Sequence, residues 1–351
     1  MTEVIFELGK NFVVTKEEVH PDVLVERAFA LIDSAKESGA KIVKFQVHTV
    51  EDEIHPDISI TSPHFDQDRY TWVKRNSYSI EFWGKIRDYC TLVGLEFLAT
   101  PMSRGAADLL NDIGVDRWKI GSGDILDFVM LDFIRDSNKP IILSSGMSSL
   151  EELKMSYQYL KEKAEDVSIL HCVSQYPCPM DKLNLNTILT LKEEFPGVKI
   201  GFSDHSLSLE APVMAVSLGA EIIEKHFTLS HDSWGPDHRT SVLPHEMKEI
   251  IKRIEKADSY VPSKSDVSML GDGKKHINSV EATFRPSFRK GLYFAEDTKC
   301  NTMMEPSLIY AMRPKSLLPS SLPSEEYPSI LGKILVKDVK KYELINFDCF
   351  N

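Results

Sequence analysis

Two histidines and two lysines sit where ordinary core packing would not put them. His205 in KIGFSDH and His226 in EIIEKHFT each fall at the end of a short apolar run of the kind that forms a buried strand. If those runs are neighbouring strands, their backbones lie about 4.8 Å apart and one ion can take a nitrogen from each ring. Two imidazoles, with water or substrate completing the shell, suit a catalytic first-row divalent cation, because chemistry needs an open position. Lys44 in IVKFQVHT and Lys119 in RWKIGSG form a second set with the hydroxyls of Thr100, Ser122, Ser144 and Ser203. Lysine as a point charge and O–H groups as orienting donors suit an anion carrying a phosphate and a carboxylate. A Schiff-base lysine is the rival chemistry for either amine. Glu7, Gln46, Asp124, Ser145, Ser174, Tyr176, Asp204 and Glu224 occupy similar positions in the same or neighbouring runs. Charges at such depth are costly unless paired or liganded.

The elements that must position these groups repeat. Apolar, β-branched runs occur at 4–9, 42–49, 96–102, 117–123, 140–147, 168–174, 199–205 and 221–228. Amphipathic stretches at 21–38, 80–93, 104–113, 149–163 and 208–218 lie between them, with apolar positions at helical spacing. Ser149 followed by Glu152 is a capping box, and Ser103 opens another helix. Eight β/α units over about 260 residues predict a (β/α)8 TIM barrel, whose catalytic face lies at the C-terminal ends of the strands. A doubly wound open sheet is the competing architecture. Segments 10–20 and 50–79 exceed ordinary loop lengths and belong at the rim, where DRYTWVKRN reads as a solvated loop or a lid. Residues 261–285 are polar, Ser-rich and aperiodic, which reads as a linker. Short β-like runs with Pro-rich interruptions then predict a small β-rich domain over 286–351. The expected organisation is a barrel over 1–260, a linker over 261–285 and that small domain.

The 351 residues carry 41 Lys plus Arg against 53 Asp plus Glu, a net charge of −12. Such a balance disfavours nucleic acid and anionic membrane surfaces as partners. An anionic substrate is still accommodated, because the lysines and a divalent cation concentrate locally while the acidic excess spreads over helix exteriors. No run approaches the ~18 apolar residues of a membrane span. The five scattered cysteines fit reduced thiols in a cytoplasmic protein.

Taken in order, ELG at 7–9, VKFQ with VEDE downstream, ATP at 99–101, WKIGSGD, ILSSGMSS, HCVSQYP, GFSDHS, IEKHFT and GPDH resemble the sialic acid synthase family. Its members condense phosphoenolpyruvate with N-acyl hexosamines to give N-acetylneuraminate, legionaminate and pseudaminate, and the family includes spore-coat-polysaccharide homologues. LGKILVKDVKKYELINFD resembles the antifreeze-like (SAF) domain of that family. The resemblance implies a carbon–carbon bond-forming transferase. It implies His205 and His226 as ligands of Mn2+, with Mg2+ or Co2+ as alternatives. Lys44, Thr100, Lys119, Ser122, Ser144, Tyr176 and Ser203 match its phosphoenolpyruvate positions, and Glu7, Gln46 and Asp237 match positions that handle the sugar. An arginine of the antifreeze-like domain, here assigned to Arg289, would reach the partner's site in a domain-swapped homodimer. Ser174 stands where asparagine is usual and Asp124 where several members have glutamate, departures that bear on sugar specificity. Two rivals are a heptulosonate- or octulosonate-phosphate synthase-like barrel and a non-catalytic carbohydrate-binding protein.

Overall fold

The computed structural model describes residues 2–57, 68–263, 266–315 and 320–351. The strands are β1 (Glu3–Gly9), β2 (Ile42–Val47), β3 (Glu96–Pro101), β4 (Trp118–Ile120), β5 (Ile141–Ser144), β6 (Val167–Cys172), β7 (Ile200–Asp204) and β8 (Ile222–His226). Between them run α1 (Pro21–Glu37), α2 (Val50–Glu53), α3 (Arg69–Arg75), α4 (Ile80–Leu92), α5 (Arg104–Asp112), α6 (Phe128–Arg135), α7 (Leu150–Lys161), α8 (Thr187–Glu194) and α9 (Glu210–Ser217). Helix α10 (Pro244–Ile254) follows β8. The eight strands are parallel and pair in the order β3-β2-β1-β8-β7-β6-β5-β4, so β1 lies between β2 and β8 and the chain circles back on itself. That order is a nearly closed (β/α)8 barrel and rules out the doubly wound alternative.

Strand alternation builds the interior in layers. Ile5, Ile42, Leu98, Ile142, Leu170 and Ile222 form one buried aliphatic layer. Toward the strand N-termini, Arg117 closes the barrel by pairing with Glu3 (2.9 Å) and Glu96 (2.5 Å). Two residues along each strand in the other direction come Glu7, Lys44, Thr100, Ser144, Cys172 and Glu224, all buried. Because the side-chain period of a strand is two, a residue placed two beyond the aliphatic layer faces the same interior. The predicted runs were longer than the strands because their last residues belong to the catalytic-face turns.

The rim departs from the sequence reading. Segment 50–79 contains α2 and α3, and residues 58–67 of it lie outside the described residues. DRYTWVKRN is helical: the Asp68 carboxylate accepts the Thr71 N–H at 3.2 Å, and Arg69, Trp72 and Val73 are buried. It is therefore not a solvated loop. The 261–285 segment is also more than a connector. Met269 and Leu270 offer carbonyls to Leu185 N (2.8 Å) and Asn186 N (2.9 Å), and a helix α11 (Ser279–Phe288) follows. Its Asn278–Glu281 capping box was present in the sequence but lay within a stretch without apolar periodicity.

Beyond α11, β9 (Gly291–Phe294) and β10 (Ile309–Met312) form an antiparallel pair, with a short helix α12 (Tyr327–Ile330) after them. The remaining runs make isolated bridges such as Tyr293↔Leu344 and Thr298↔Val339 instead of regular strands. This region packs on the catalytic face of its own barrel. Lys290 bonds Met102 O (2.6 Å) and Asp127 Oδ2 (2.7 Å), and Arg313 bonds Glu53 Oε1 (2.7 Å) and Asp124 Oδ1 (2.5 Å).

Candidate active site

The strand ends converge on a charged floor. Lys44 Nζ lies 2.6 Å from Glu7 Oε2, 3.1 Å from Thr100 Oγ1 and 3.7 Å from Glu224 Oε2. Lys119 Nζ donates to Ser144 Oγ at 2.6 Å and to Ile120 O at 3.2 Å, with Glu224 Oε2 also 3.7 Å away. Ser203 Oγ donates to Glu224 Oε1 at 3.0 Å. Glu224 thus stands between two ammonium groups. Burial works to raise its carboxyl, but Lys119 and Lys44 outweigh that and hold it at about 2. Burial lowers both lysines; for Lys44, Glu224 and Glu7 reverse the sign and raise it, whereas Lys119 stays below its ordinary value. The floor therefore holds two differently tuned cations beside hydroxyls, an arrangement that can receive an oxyanion.

A second cluster lies beside it. Gly9 has a φ of 51°, a conformation glycine tolerates, and the β1–β2 register shifts between Glu7 and Gly9. The space a Cβ would occupy there is 3.2 Å from Glu7 Oε1, 3.4 Å from Gln46 Nε2 and 3.5 Å from Asp237 Oδ2. Gln46 Nε2 donates to Glu7 Oε1 at 2.8 Å, so Glu7 bridges the lysine floor and this polar corner. Above the corner a buried chain runs outward. Lys10 Nζ donates to His48 Nε2 at 2.8 Å, and His48 Nδ1 donates to Glu53 Oε2 at 2.6 Å, with Arg313 on the other Glu53 oxygen. Burial lowers His48 to about 4, so its ring is neutral and can accept from Lys10 while donating to Glu53.

The two histidines face each other with ring centroids 5.5 Å apart. His205 Nδ1 lies 3.0 Å from Val173 O, an acceptor only, which assigns a proton to Nδ1, and Nε2 lies 3.1 Å from Tyr176 OH. Tyr176 stacks on the same ring at 4.1 Å. His226 Nδ1 is buried with no hydrogen-bond partner among the described residues. An orphaned imidazole nitrogen beside an oriented one fits a divalent cation. The described residues hold no group of three or more His, Cys, Asp or Glu that could hold such an ion, so the remaining ligands would be water or substrate oxygens.

Three turns meet at Gly146. Its N–H donates to Ser122 Oγ at 3.0 Å, and a Cβ there would lie 2.2 Å from Ser174 Oγ and 2.7 Å from Ser122 Oγ, so any side chain at this position would displace both hydroxyls. The structure therefore groups Lys44, Lys119, Thr100, Ser144, Ser203 and Glu224 on the floor. Glu7, Gln46 and Asp237 form the corner, His205, His226 and Tyr176 the wall, and Ser122 and Ser174 the turn.

Two expected residues have other partners within this chain. Arg289 donates to Met147 O (2.6 Å) and Gly123 O (3.4 Å), on the backbone of the β4 and β5 turns, away from the Glu7–Gln46–Asp237 corner. Asp124 is turned to Arg313 and to Lys290 (3.0 Å), holding the C-terminal region in place. Arg313 is linked through Glu53 and His48 to Lys10, the residue that follows Gly9 in the chain. The VEDE and MRPK strings contain these residues, but nothing local in them pairs Glu53 with a residue 260 positions away.

A family model described as the NeuB family matches residues 31–265. The chain is 30% identical over 349 residues to the N,N'-diacetyllegionaminic acid synthase of Campylobacter jejuni, covering 96% of this chain and 99% of that protein. The crystal structure of the spore coat polysaccharide biosynthesis protein of Bacillus subtilis has a TM-score of 0.79 at 28% identity, over 100% of this chain and 95% of that one. The N-acetylneuraminic acid (sialic acid) synthetase of Leptospira borgpetersenii, solved with citrate, has a TM-score of 0.64 at 30% identity, over 80% of this chain and 89% of that one.

Proposed function

Because the chain belongs to the NeuB family, we propose that it condenses phosphoenolpyruvate with the open-chain aldehyde of an N-acyl hexosamine. The products are a nine-carbon 2-keto acid and inorganic phosphate. The observation that carries this reading is the floor on which Lys44 and Lys119 flank Glu224 within reach of Thr100, Ser144 and Ser203. The names of the relatives, legionaminic acid and sialic acid synthases, support the same chemistry.

Lys44, Lys119 and the hydroxyls hold the phosphate and carboxylate of phosphoenolpyruvate, and the ionised Glu224 keeps the two ammonium groups from repelling each other when no substrate is bound. The Glu7–Gln46–Asp237 corner binds the sugar hydroxyls and the acyl amide, placing the aldehyde carbon over the enol carbon. The new bond joins those carbons, water adds at C2, and phosphate leaves with cleavage of the C2–O bond. Glu7 touches Lys44 on one side and Gln46 on the other, so it is placed to carry a proton between the two substrates. His205 and His226 would hold a divalent cation, Mn2+ in this proposal, which when bound supplies Lewis-acid polarisation of the aldehyde oxygen.

We further read the molecule as a cytoplasmic homodimer that exchanges its C-terminal, antifreeze-like region. The Lys290 and Arg313 contacts form within one chain here, and the same groups would meet if the region were exchanged between two copies. Light scattering at micromolar concentration giving twice the chain mass supports this, and a monomer refutes it. The reaction itself is tested by phosphate release from phosphoenolpyruvate with N-acetylmannosamine and Mn2+. Release that depends on the sugar is the expected result. No release with any N-acyl hexosamine, from folded and metal-loaded protein, refutes the assignment, and release only with a phosphorylated aldose points to the ulosonate-phosphate reaction.

A further inference from the structure

Helix α11 and its C-cap residue Arg289 deliver three charged side chains to one backbone turn of the barrel. That turn begins at Ser144, the last residue of β5, and runs through Ser145, Gly146 and Met147. Met147 has a φ of 53°, in the left-handed region that a side chain with a Cβ resists. Its N–H donates to Glu281 Oε1 at 2.9 Å, and its carbonyl accepts from Arg289 Nη2 at 2.6 Å and from Arg285 Nη1 at 3.4 Å. The turn is thus held from both sides of the strained residue. Glu281 Oε1 also accepts the Ser174 N–H at 2.8 Å, so one carboxylate oxygen ties the turn after β5 to the chain just beyond β6. The other oxygen accepts the Asn278 N–H at 3.2 Å, closing the capping box that starts α11. Glu281 is only 1% exposed, so water does not compete for these donors. The positions secured this way are Ser144, whose hydroxyl meets Lys119, and Gly146 and Ser174, which close on Ser122.

We propose that α11 is a positioning element for phosphoenolpyruvate: Glu281 and Arg289 hold Met147 in its left-handed conformation and so set Ser144, Gly146 and Ser174 around the anion. Both residues act through backbone groups of the turns, which distinguishes them from the lysines that would touch substrate. The inference rests on the phosphoenolpyruvate reading given above. It also gives the segment between barrel and C-terminal region a role in substrate affinity, since α11 runs directly into β9.

The test measures phosphoenolpyruvate affinity by calorimetry, and KM for each substrate, on the full-length Mn2+-loaded protein. Glu281→Ala is expected to weaken phosphoenolpyruvate about tenfold or more, the loss of a buried charge-assisted hydrogen bond, while KM for the sugar moves less than about twofold, because the sugar corner shares none of these bonds. Glu281→Gln keeps an oxygen acceptor and recovers most of the affinity. Met147→Gly added to Glu281→Ala also recovers affinity, because glycine adopts the positive φ without restraint. If Glu281→Ala does not fold, Arg289→Gln carries the same expectation of weaker phosphoenolpyruvate binding. The proposal is overturned by unchanged affinity in the folded variant, by equal changes in both KM values, by Gln performing no better than Ala, or by no recovery with Met147→Gly. Wild-type protein that neither binds phosphoenolpyruvate nor releases phosphate overturns the reaction assignment instead. Wild-type protein that does both, beside an unaffected Glu281→Ala, overturns only the role of α11.

Discussion

Lys225 and Asp204 form an ion pair whose side chains are both 0% exposed, on the outer face of β8 and β7 and next in sequence to the two histidines. Lys225 Nζ lies 2.5 Å from Asp204 Oδ2 and donates to Ser206 O at 2.7 Å and Ser208 O at 3.2 Å, while Asp204 Oδ1 accepts the Ser206 N–H at 2.8 Å. Lys225→Met preserves the apolar stem and removes only the ammonium. It leaves a buried carboxylate uncompensated and the Ser206 and Ser208 carbonyls without that donor, so the expected loss is about 3–5 kcal/mol. Against a total stability of about 5–15 kcal/mol this is a large fraction. With a urea m-value of about 3 kcal/mol/M, the unfolding midpoint should fall by about 1–1.7 M. The assay is equilibrium urea unfolding followed by tryptophan fluorescence and far-UV circular dichroism, with coincident transitions required before a free energy is derived. Asp204→Asn keeps the acceptor for Ser206 and removes the charge. The double variant Lys225→Met/Asp204→Asn should therefore regain at least about 2 kcal/mol relative to Lys225→Met alone. A loss below about 1 kcal/mol in Lys225→Met, or a double variant whose loss equals the sum of the two single losses, would refute the reasoning.

Other outcomes follow from the same geometry. Burial raises Asp52 to about 6 while Gly105 N–H binds its Oδ2 at 2.7 Å. The folded state thus binds this proton more tightly than the unfolded chain, and the cost of the buried charge is absent below about pH 4 and complete above about pH 6–7. Asp52→Asn should raise Tm at pH 7.5, by up to about 3 kcal/mol in stability, and leave it unchanged near pH 4; a pH-independent difference contradicts this. Arg313→Met leaves Glu53 and Asp124 facing each other without their shared cation, costing about 3 kcal/mol or more, and Arg313→Lys should fail to restore it because one ammonium cannot replace the guanidinium fork; thermal unfolding of both variants checks this. His205→Ala and Lys119→Ala should each lower phosphate release about a hundredfold or more with circular dichroism unchanged, and activity above a tenth of wild type would remove them from the proposed site.

Much of the site was legible because parallel strands impose a period of two and a barrel directs one set of residues inward. Lys44, Lys119, Thr100, Ser144, Ser203, Glu224, His205 and His226 all occupy strands or the first residue after one, and their convergence needed only the count of strands. The rim was less legible. Trp72 and Arg69 are buried by neighbours far away in sequence, so an aromatic and cationic stretch read as a loop forms a helix. The start of α11, at 279–285, showed no apolar stripe because this helix buries a carboxylate, Glu281, instead. Arg289 and Arg313 are equivalent as sequence, and only the packing of the C-terminal region places the first on backbone carbonyls and the second on Glu53 and Asp124.

The sequence by itself determined the barrel, the inward-facing lysine, hydroxyl and histidine set and the family, since each rests on local periodicity or on ordered strings of residues. The tertiary structure decided how those groups are paired, which backbone groups Glu281 and Arg289 meet, and which arginine joins the Glu53–His48–Lys10 chain. Hydrogen bonds and ion pairs between residues more than a hundred positions apart leave no periodic trace in the chain, and their partners are chosen by where the loops come to rest.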